Sequence, residues 1–302
     1  MALLDRAIVR LLPAVPKPIV RRIADRYIAG EKLEDALATV ARLNARAKSG
    51  TIDVLGEEIT NPDEARTITS AYLDVLRGIE ERGLDSNASV KPTALGLELS
   101  YELWRENIET LVRDARERRN FVRIDMEDSS TTDATLRTYR ELRESGFDNV
   151  GVVLQARLRR TLDDIGALAD LRPNVRICKG IYLEPESIAY TRFDEIRESF
   201  VRCLEALRET ASYIGVATHD EYLIDAAKRV LRDRYEFQML LGVREKLGDA
   251  LVREGHRLRI YVPFGRQWYE YSLRRLQENP RIAGYVASDT VSRIFSRRNG
   301  SP

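Results

Sequence analysis

From residue 88 onward, short apolar runs alternate with longer stretches whose apolar residues recur every three or four positions, a rhythm that few folds accommodate. The runs that read as strands are Ala88–Lys91, Phe121–Met126, Val150–Gln155, Val175–Cys178, Tyr213–Ala217, Tyr235–Leu241, Leu258–Val262 and Ile282–Val286. Most are separated by enough chain for a crossover helix: Leu97–Arg118, Asp133–Ser145, Leu162–Leu171, Pro185–Thr210, Glu221–Arg232 and Arg244–Glu254. Eight strands joined by helices over about 200 residues predict an α/β fold, a parallel (β/α)8 barrel of the TIM type. An open doubly wound sheet is the competing arrangement, but the Gly-rich turn expected after its first strand is absent.

The first eighty-odd residues show no strand pattern. Leu4, Ile8, Leu11 and Leu12 stand at helical spacing, and Pro13, Pro16 and Pro18 divide that region into two short helices. Lys32–Ala47 repeats the helical period, and a further helix starts where Asn61 caps, Pro62 enters the first turn and Glu64 closes a capping box. The expected organisation is an all-helical N-terminal arm over residues 1–85, followed by a barrel and C-terminal tail over 86–302. The Arg-bearing first helix is read either as a cover for the barrel or as a membrane-surface anchor.

Composition narrows the function classes. A net charge of +1 gives no global field toward nucleic acid. Cys178 and Cys203 are too few for a disulfide framework, which points to a reducing cytoplasmic compartment. Only two histidines are present, so a multi-histidine metal site is excluded. No run of 18 apolar residues occurs. Seven of the 49 basic residues are lysines, so a Lys at the end of an apolar run stands out.

A barrel of this kind carries its chemistry at the C-terminal ends of its strands. There the sequence places Lys91, then Asp125-Met-Glu127-Asp128, Gln155, Arg176 with Lys179-Gly180 and Tyr182, Thr218-His219-Asp220, Leu240 and Tyr261. Beyond the last of these runs, Tyr271, Arg274, Arg275 and Glu278 share one helical face, and two adjacent guanidiniums form a fork suited to a carboxylate. Several residues admit a second reading. Lys91 with Asp125 fits a structural ion pair between neighbouring strands, and Asp125, Glu127 and Asp128 fit a magnesium site. Lys179 fits a Schiff-base nucleophile, as in barrel aldolases. His219 fits a helix-cap neighbour, and the Arg pair fits a solvated helix face. Arg176 and Lys179 have opposite strand parity, so both reach the rim only if Gly180 ends the strand nearby.

Six segments together resemble the proline dehydrogenase family in its short, monofunctional bacterial form: Ser89-Val-Lys91-Pro-Thr-Ala-Leu-Gly96, Arg123-Ile-Asp125-Met-Glu127, Arg176-Ile-Cys-Lys179-Gly-Ile-Tyr182, Ala217-Thr-His219-Asp220, Phe237-Gln-Met-Leu240-Leu-Gly242 and Tyr271-Ser-Leu-Arg274-Arg275-Leu-Gln-Glu278-Asn279. The resemblance implies a distorted (β/α)8 barrel that uses non-covalent FAD to oxidise L-proline to 1-pyrroline-5-carboxylate. It implies that this oxidation is a hydride transfer from the ring carbon beside nitrogen to flavin N5, with the electrons passed on to a membrane quinone. It implies that Arg274, Arg275 and Lys91 clamp the proline carboxylate, that Asp125 holds that cationic group, and that Tyr261, Tyr271 and Leu240 wall the ring. Arg176 is expected near flavin N5 and Gln155 near the isoalloxazine edge. Lys179, Gly180, Tyr182, Thr218, His219 and Glu278 are expected along the rest of the cofactor. Ile181 and Leu183 depart from the smaller or aromatic residues of some members. A cytoplasmic protein with transient contact at the inner membrane face follows from the same resemblance. The second domain of the long bifunctional members has no room in this length.

Overall fold

The structure is a computed structural model and describes residues 26–56 and 59–269. A helix, α1 (Leu33–Asn44), precedes β1 (Ser49–Val54), after which strand and helix alternate: α2 (Pro62–Glu81), β2 (Ser86–Val90), α3 (Tyr101–Glu117), β3 (Val122–Ile124), α4 (Thr132–Glu144), β4 (Val150–Gln155), α5 (Thr161–Ala167), β5 (Asn174–Cys178), α6 (Phe193–Thr210), β6 (Tyr213–Ala217), α7 (Glu221–Val230), β7 (Tyr235–Leu240), α8 (Glu245–Arg253) and β8 (Leu258–Phe264). The strands pair in parallel in chain order and close into a barrel. Closure is made by β8 against β1, in register from Ser49 opposite Arg259 to Val54 opposite Phe264.

The (β/α)8 expectation holds, but one strand of the eight is different. Residues 49–54, expected within a helical arm, form β1 and are buried throughout. A boundary at residue 85 therefore falls inside the barrel. The segment Ser49-Gly-Thr-Ile-Asp-Val offers only Ile52 and Val54 as apolar residues, too few to register as a run. Its pairing with β8 supplies what composition does not. The expected strand Ile282–Val286 and the expected helices before residue 26 lie outside the described residues.

The helices form where caps and amphipathic stripes coincide. Asn61 Oδ1 accepts the Glu64 amide at 3.1 Å, and the Glu64 carboxylate takes the Thr60 amide, one residue before the box expected from the sequence. Helix α3 starts at Tyr101 rather than Leu97, because Gly96 turns the chain at φ 104° and Ser100 Oγ then accepts the amides of Glu102 and Leu103. It buries Trp104, Ile108, Leu111 and Ala115 on one stripe, and Trp104 Nε1 reaches Thr138 Oγ1 of α4 at 2.9 Å. Full burial of one such large side chain contributes about 1.5–3 kcal/mol. Helix α6 begins at Phe193, not Pro185. The residues before it are drawn along the β4 loop, where the Arg159 amide bonds the Ile188 carbonyl and the Tyr190 amide bonds the Arg157 carbonyl. Among the described residues no helix is long and apolar enough to cross a membrane.

Candidate active site at the C-terminal end of the barrel

The inside of this barrel is charged where such interiors are commonly filled by branched apolar residues. Asp53 on β1 and Lys91 after β2 are 0% and 4% exposed, and their Oδ2 and Nζ stand 2.7 Å apart. Tyr72 reaches in from α2. Its hydroxyl lies 3.0 Å from Asp53 Oδ1 and 2.8 Å from the Ser89 carbonyl, and it accepts the Val54 amide. A second pair stands beside the first. Arg176, 6% exposed on β5, places Nη1 2.7 Å from Asp125 Oδ1, which also accepts Ser89 Oγ at 2.8 Å. The Tyr261 hydroxyl on β8 joins the two, receiving Lys91 Nζ at 3.3 Å and donating to Asp125 Oδ2 at 3.2 Å. Two carboxylates thus balance two cations, which is what permits four ionised groups to sit out of water.

The sequence expectation paired Lys91 with Asp125. The structure gives Lys91 to Asp53 and Asp125 to Arg176, because the strand flanking β2 on its other side is the unforeseen β1. Asp53 and Tyr72 are functional candidates that sequence reasoning did not single out, while Ser89 and Gln238 stood within the motif segments without a role. An acid in mid-strand was the available signal for Asp53. Gln238 on β7, 6% exposed, accepts Arg176 Nε at 2.5 Å. The remaining nitrogen, Nη2, has no hydrogen-bond partner among the described residues.

Around the rim, Gln155 Nε2 donates to the Glu127 carbonyl while its Oε1 is buried without a partner among the described residues. Gly180 lies against it at φ 92°; a Cβ there would stand 2.5 Å from Gln155 Oε1. Strand β5 ends at Cys178, before Gly180, so Lys179 turns to the rim while Arg176 points inward and the parity conflict does not arise. Lys179 Nζ is bound to Asp220 Oδ2 at 2.6 Å and lies over the Phe193 ring. Burial would raise Asp220, but Arg197 and Lys179 together hold it down to about 2. Tyr182, half-buried, gives its carbonyl to Arg157.

Just after β6, Thr218 Oγ1 accepts the Asp220 amide. His219 Nε2 accepts the Leu240 amide at 3.0 Å, which requires that nitrogen unprotonated. Burial, with Arg244 and Lys179 nearby, lowers His219 to about 4. Glu127 holds the Thr93 amide and hydroxyl, and Asp128 turns back on Ser130. Asp125, Glu127 and Asp128 are therefore engaged separately, and among the described residues no cluster of metal-ligating side chains occurs. Tyr271, Arg274, Arg275 and Glu278 lie outside the described residues.

Comparison with known proteins agrees with this geometry. Residues 36–288 match the family model described as proline dehydrogenase. The chain is 37% identical to proline dehydrogenase of Deinococcus radiodurans over 274 residues, 87% of this chain and 88% of the relative. It is 36% identical to proline dehydrogenase 1 of Bacillus subtilis strain 168 over 87% and 89%. In fold, it matches proline utilization A from Bdellovibrio bacteriovorus with a TM-score of 0.79 at 24% identity, covering 89% of this chain and 36% of that longer one. An eight-stranded barrel, a family match that spans it and relatives aligned over most of their length lead to one conclusion: the chain belongs to the proline dehydrogenase family.

Proposed function

We propose that the chain oxidises L-proline to 1-pyrroline-5-carboxylate with non-covalent FAD and delivers the electrons to a membrane quinone, at the inner face of the membrane. The observation that carries this reading is two buried polar atoms without a partner among the described residues, a donor on Arg176 Nη2 and an acceptor on Gln155 Oε1, at one end of the barrel. Leaving such atoms unpaired costs about 1–3 kcal/mol each, and a flat heterocycle with both acceptors and donors on its edge answers both. Gly180 clears space beside Gln155, so these residues fit an isoalloxazine group. Thr218, His219, Lys179 and Tyr182 are proposed to hold the rest of FAD, with Glu278 beyond the described residues. When bound, FAD supplies the two-electron acceptor for the substrate hydride that no side chain here provides.

The chain's own residues bind and orient. Asp53 and Tyr261 hold the Lys91 ammonium at the buried end of the proposed substrate pocket, where it faces the proline carboxylate together with Arg274 and Arg275. Asp125 fixes Arg176 and Tyr261 at once, so the cation proposed beside the cofactor and the ring proposed to wall the substrate share one support. Leu240 and Tyr271 complete that wall. The Schiff-base reading of Lys179 needs a neutral amine, whereas its ammonium is ion-paired to Asp220. If Arg275 clamps the carboxylate, Arg275→Met raises KM for L-proline by an amount equivalent to roughly 2–5 kcal/mol while FAD content stays normal. An unchanged KM would remove the clamp. Acid precipitation tests the cofactor's attachment: flavin released to the supernatant supports non-covalent FAD, and flavin held in the pellet refutes it.

A further inference from the structure

Arg176 is held from two sides, and only one of them belongs to the charged network above it. On the far side its Nε donates to Gln238 Oε1 at 2.5 Å. A glutamine amide has two faces, and a flipped one would set an NH2 against the guanidinium. What fixes its orientation is Glu236, two residues earlier on the same strand, which accepts Gln238 Nε2 at 2.7 Å through Oε1. Glu236 is 3% exposed and is held in place by Arg259 Nε at 2.7 Å, with the Tyr213 hydroxyl 3.3 Å from its other oxygen. The path from Gln238 to Arg176 crosses Gly215 on β6, where a Cβ would lie 2.5 Å from Gln238 Nε2. With Asp125 on Nη1 and Gln238 on Nε, the plane of the guanidinium is fixed at two points, and Nη2, without a partner among the described residues, is the edge that faces a ligand.

We propose that Gln238, oriented by the Glu236–Arg259 ion pair and admitted by Gly215, is the positioning residue that sets the orientation of Arg176 toward the cofactor. This rests on the reading that Arg176 lies beside the flavin. Gln238 itself touches no reacting atom; it accepts a hydrogen bond that aims another donor. A protonated carboxyl reproduces both of its bonds, carbonyl toward Arg176 and hydroxyl toward Glu236. An ionised carboxylate does not, because it faces Glu236 at hydrogen-bond distance and repels it.

The experiment compares the wild-type holoenzyme with Gln238→Leu, Gln238→Glu and Arg176→Met, measuring the midpoint potential and visible spectrum of the bound flavin together with kcat and KM for L-proline. The expected result for Gln238→Leu is a potential shifted to more negative values and a kcat lower by about tenfold, with KM for proline changed far less. Gln238→Glu should match the wild type at acid pH and lose kcat as pH rises through the titration of the shared proton, a limb absent from the wild-type profile. A shifted potential in Arg176→Met with wild-type potential and kcat in Gln238→Leu would overturn the proposal alone. Wild-type potential in all three variants would overturn the placement of Arg176 and the positioning role with it. If Gln238→Leu does not fold, the near-isosteric Gln238→Glu decides: a pH profile superimposable on the wild type rejects the role.

Discussion

The two ends of the barrel interior are almost equally polar and are built for different work. At the N-terminal end, Arg123 is buried, and among the described residues no carboxylate stands at ion-pair distance. Its two terminal nitrogens are bound to the Val152 and Asn174 carbonyls and to Asn174 Oδ1, leaving only the Nε nearest its own stem without a partner among the described residues. Burial, with the Arg176 charge above it, lowers Arg123 to about 9. A cavity of about 930 Å3 opens at that end, lined by residues of both signs, among them Asp85, Arg118, Glu236 and Arg259. At the C-terminal end Arg176 has a carboxylate, a hydroxyl and an amide on two of its nitrogens, and among the described residues a whole terminal NH2 is left over. The lower arginine ties strands together; the upper one is held so that one edge stays available. A cavity and a buried cation do not by themselves mark an active site; what sets the proposed site apart is a pre-paired cation with an open edge.

The sharpest way to break that contrast is at Asp53. Asp53→Ala leaves the Lys91 ammonium buried without its carboxylate, and the expected loss of stability is about 3–5 kcal/mol in urea unfolding, with a raised KM for proline. A loss below about 1 kcal/mol would show that the upper charges are solvated rather than interlocked. Arg176→Met should lower kcat by about 100-fold or more with FAD still bound, since a donor placed where charge develops is removed. Arg123→Met is the matching change at the lower end. It should cost about 1–3 kcal/mol of stability through the orphaned carbonyls and leave kcat/KM near the wild-type value. A large loss of turnover there would erase the distinction between the two ends.

The effect confined to the narrowest range of conditions is a pH slope. His219 is lowered in the folded chain to about 4 from its ordinary 6.5, so the unfolded chain binds that proton first as pH falls. Stability present above about 6.5 is therefore lost progressively as pH falls toward 4. The melting temperature of His219→Gln should show a shallower decline across that window, and identical slopes would remove His219 as its source.

How much of this was legible depended on which face of a strand carried the signal. Val150–Gln155 and Tyr213–Ala217 match the observed strands residue for residue, because both faces of each are largely apolar and the run announces itself. β1 presents Thr51 and Asp53 among its residues and is completed by its partner β8, so no local pattern declares it. The same cause hid Asp53 and led Lys91 to be assigned to Asp125. Motif positions put Lys91, Asp125, Arg176 and Tyr261 at strand ends, and the structure joins these four in one hydrogen-bonded network. Their partners were not readable, because side-chain pairing across a barrel depends on register and reach rather than on spacing along the chain. Asp220 shows the same limit: it caps α7 as its sequence suggests, and also binds Lys179 and Arg197.

The central claim is that the C-terminal end of the barrel holds a flavin next to a proline site. Anaerobic titration of the purified protein with L-proline tests it most directly, following the visible absorption of bound flavin. The account predicts a yellow protein that is bleached by L-proline to a saturating end point. A colourless protein that binds no added FAD, or a bound flavin that stays oxidised at saturating L-proline, would contradict it.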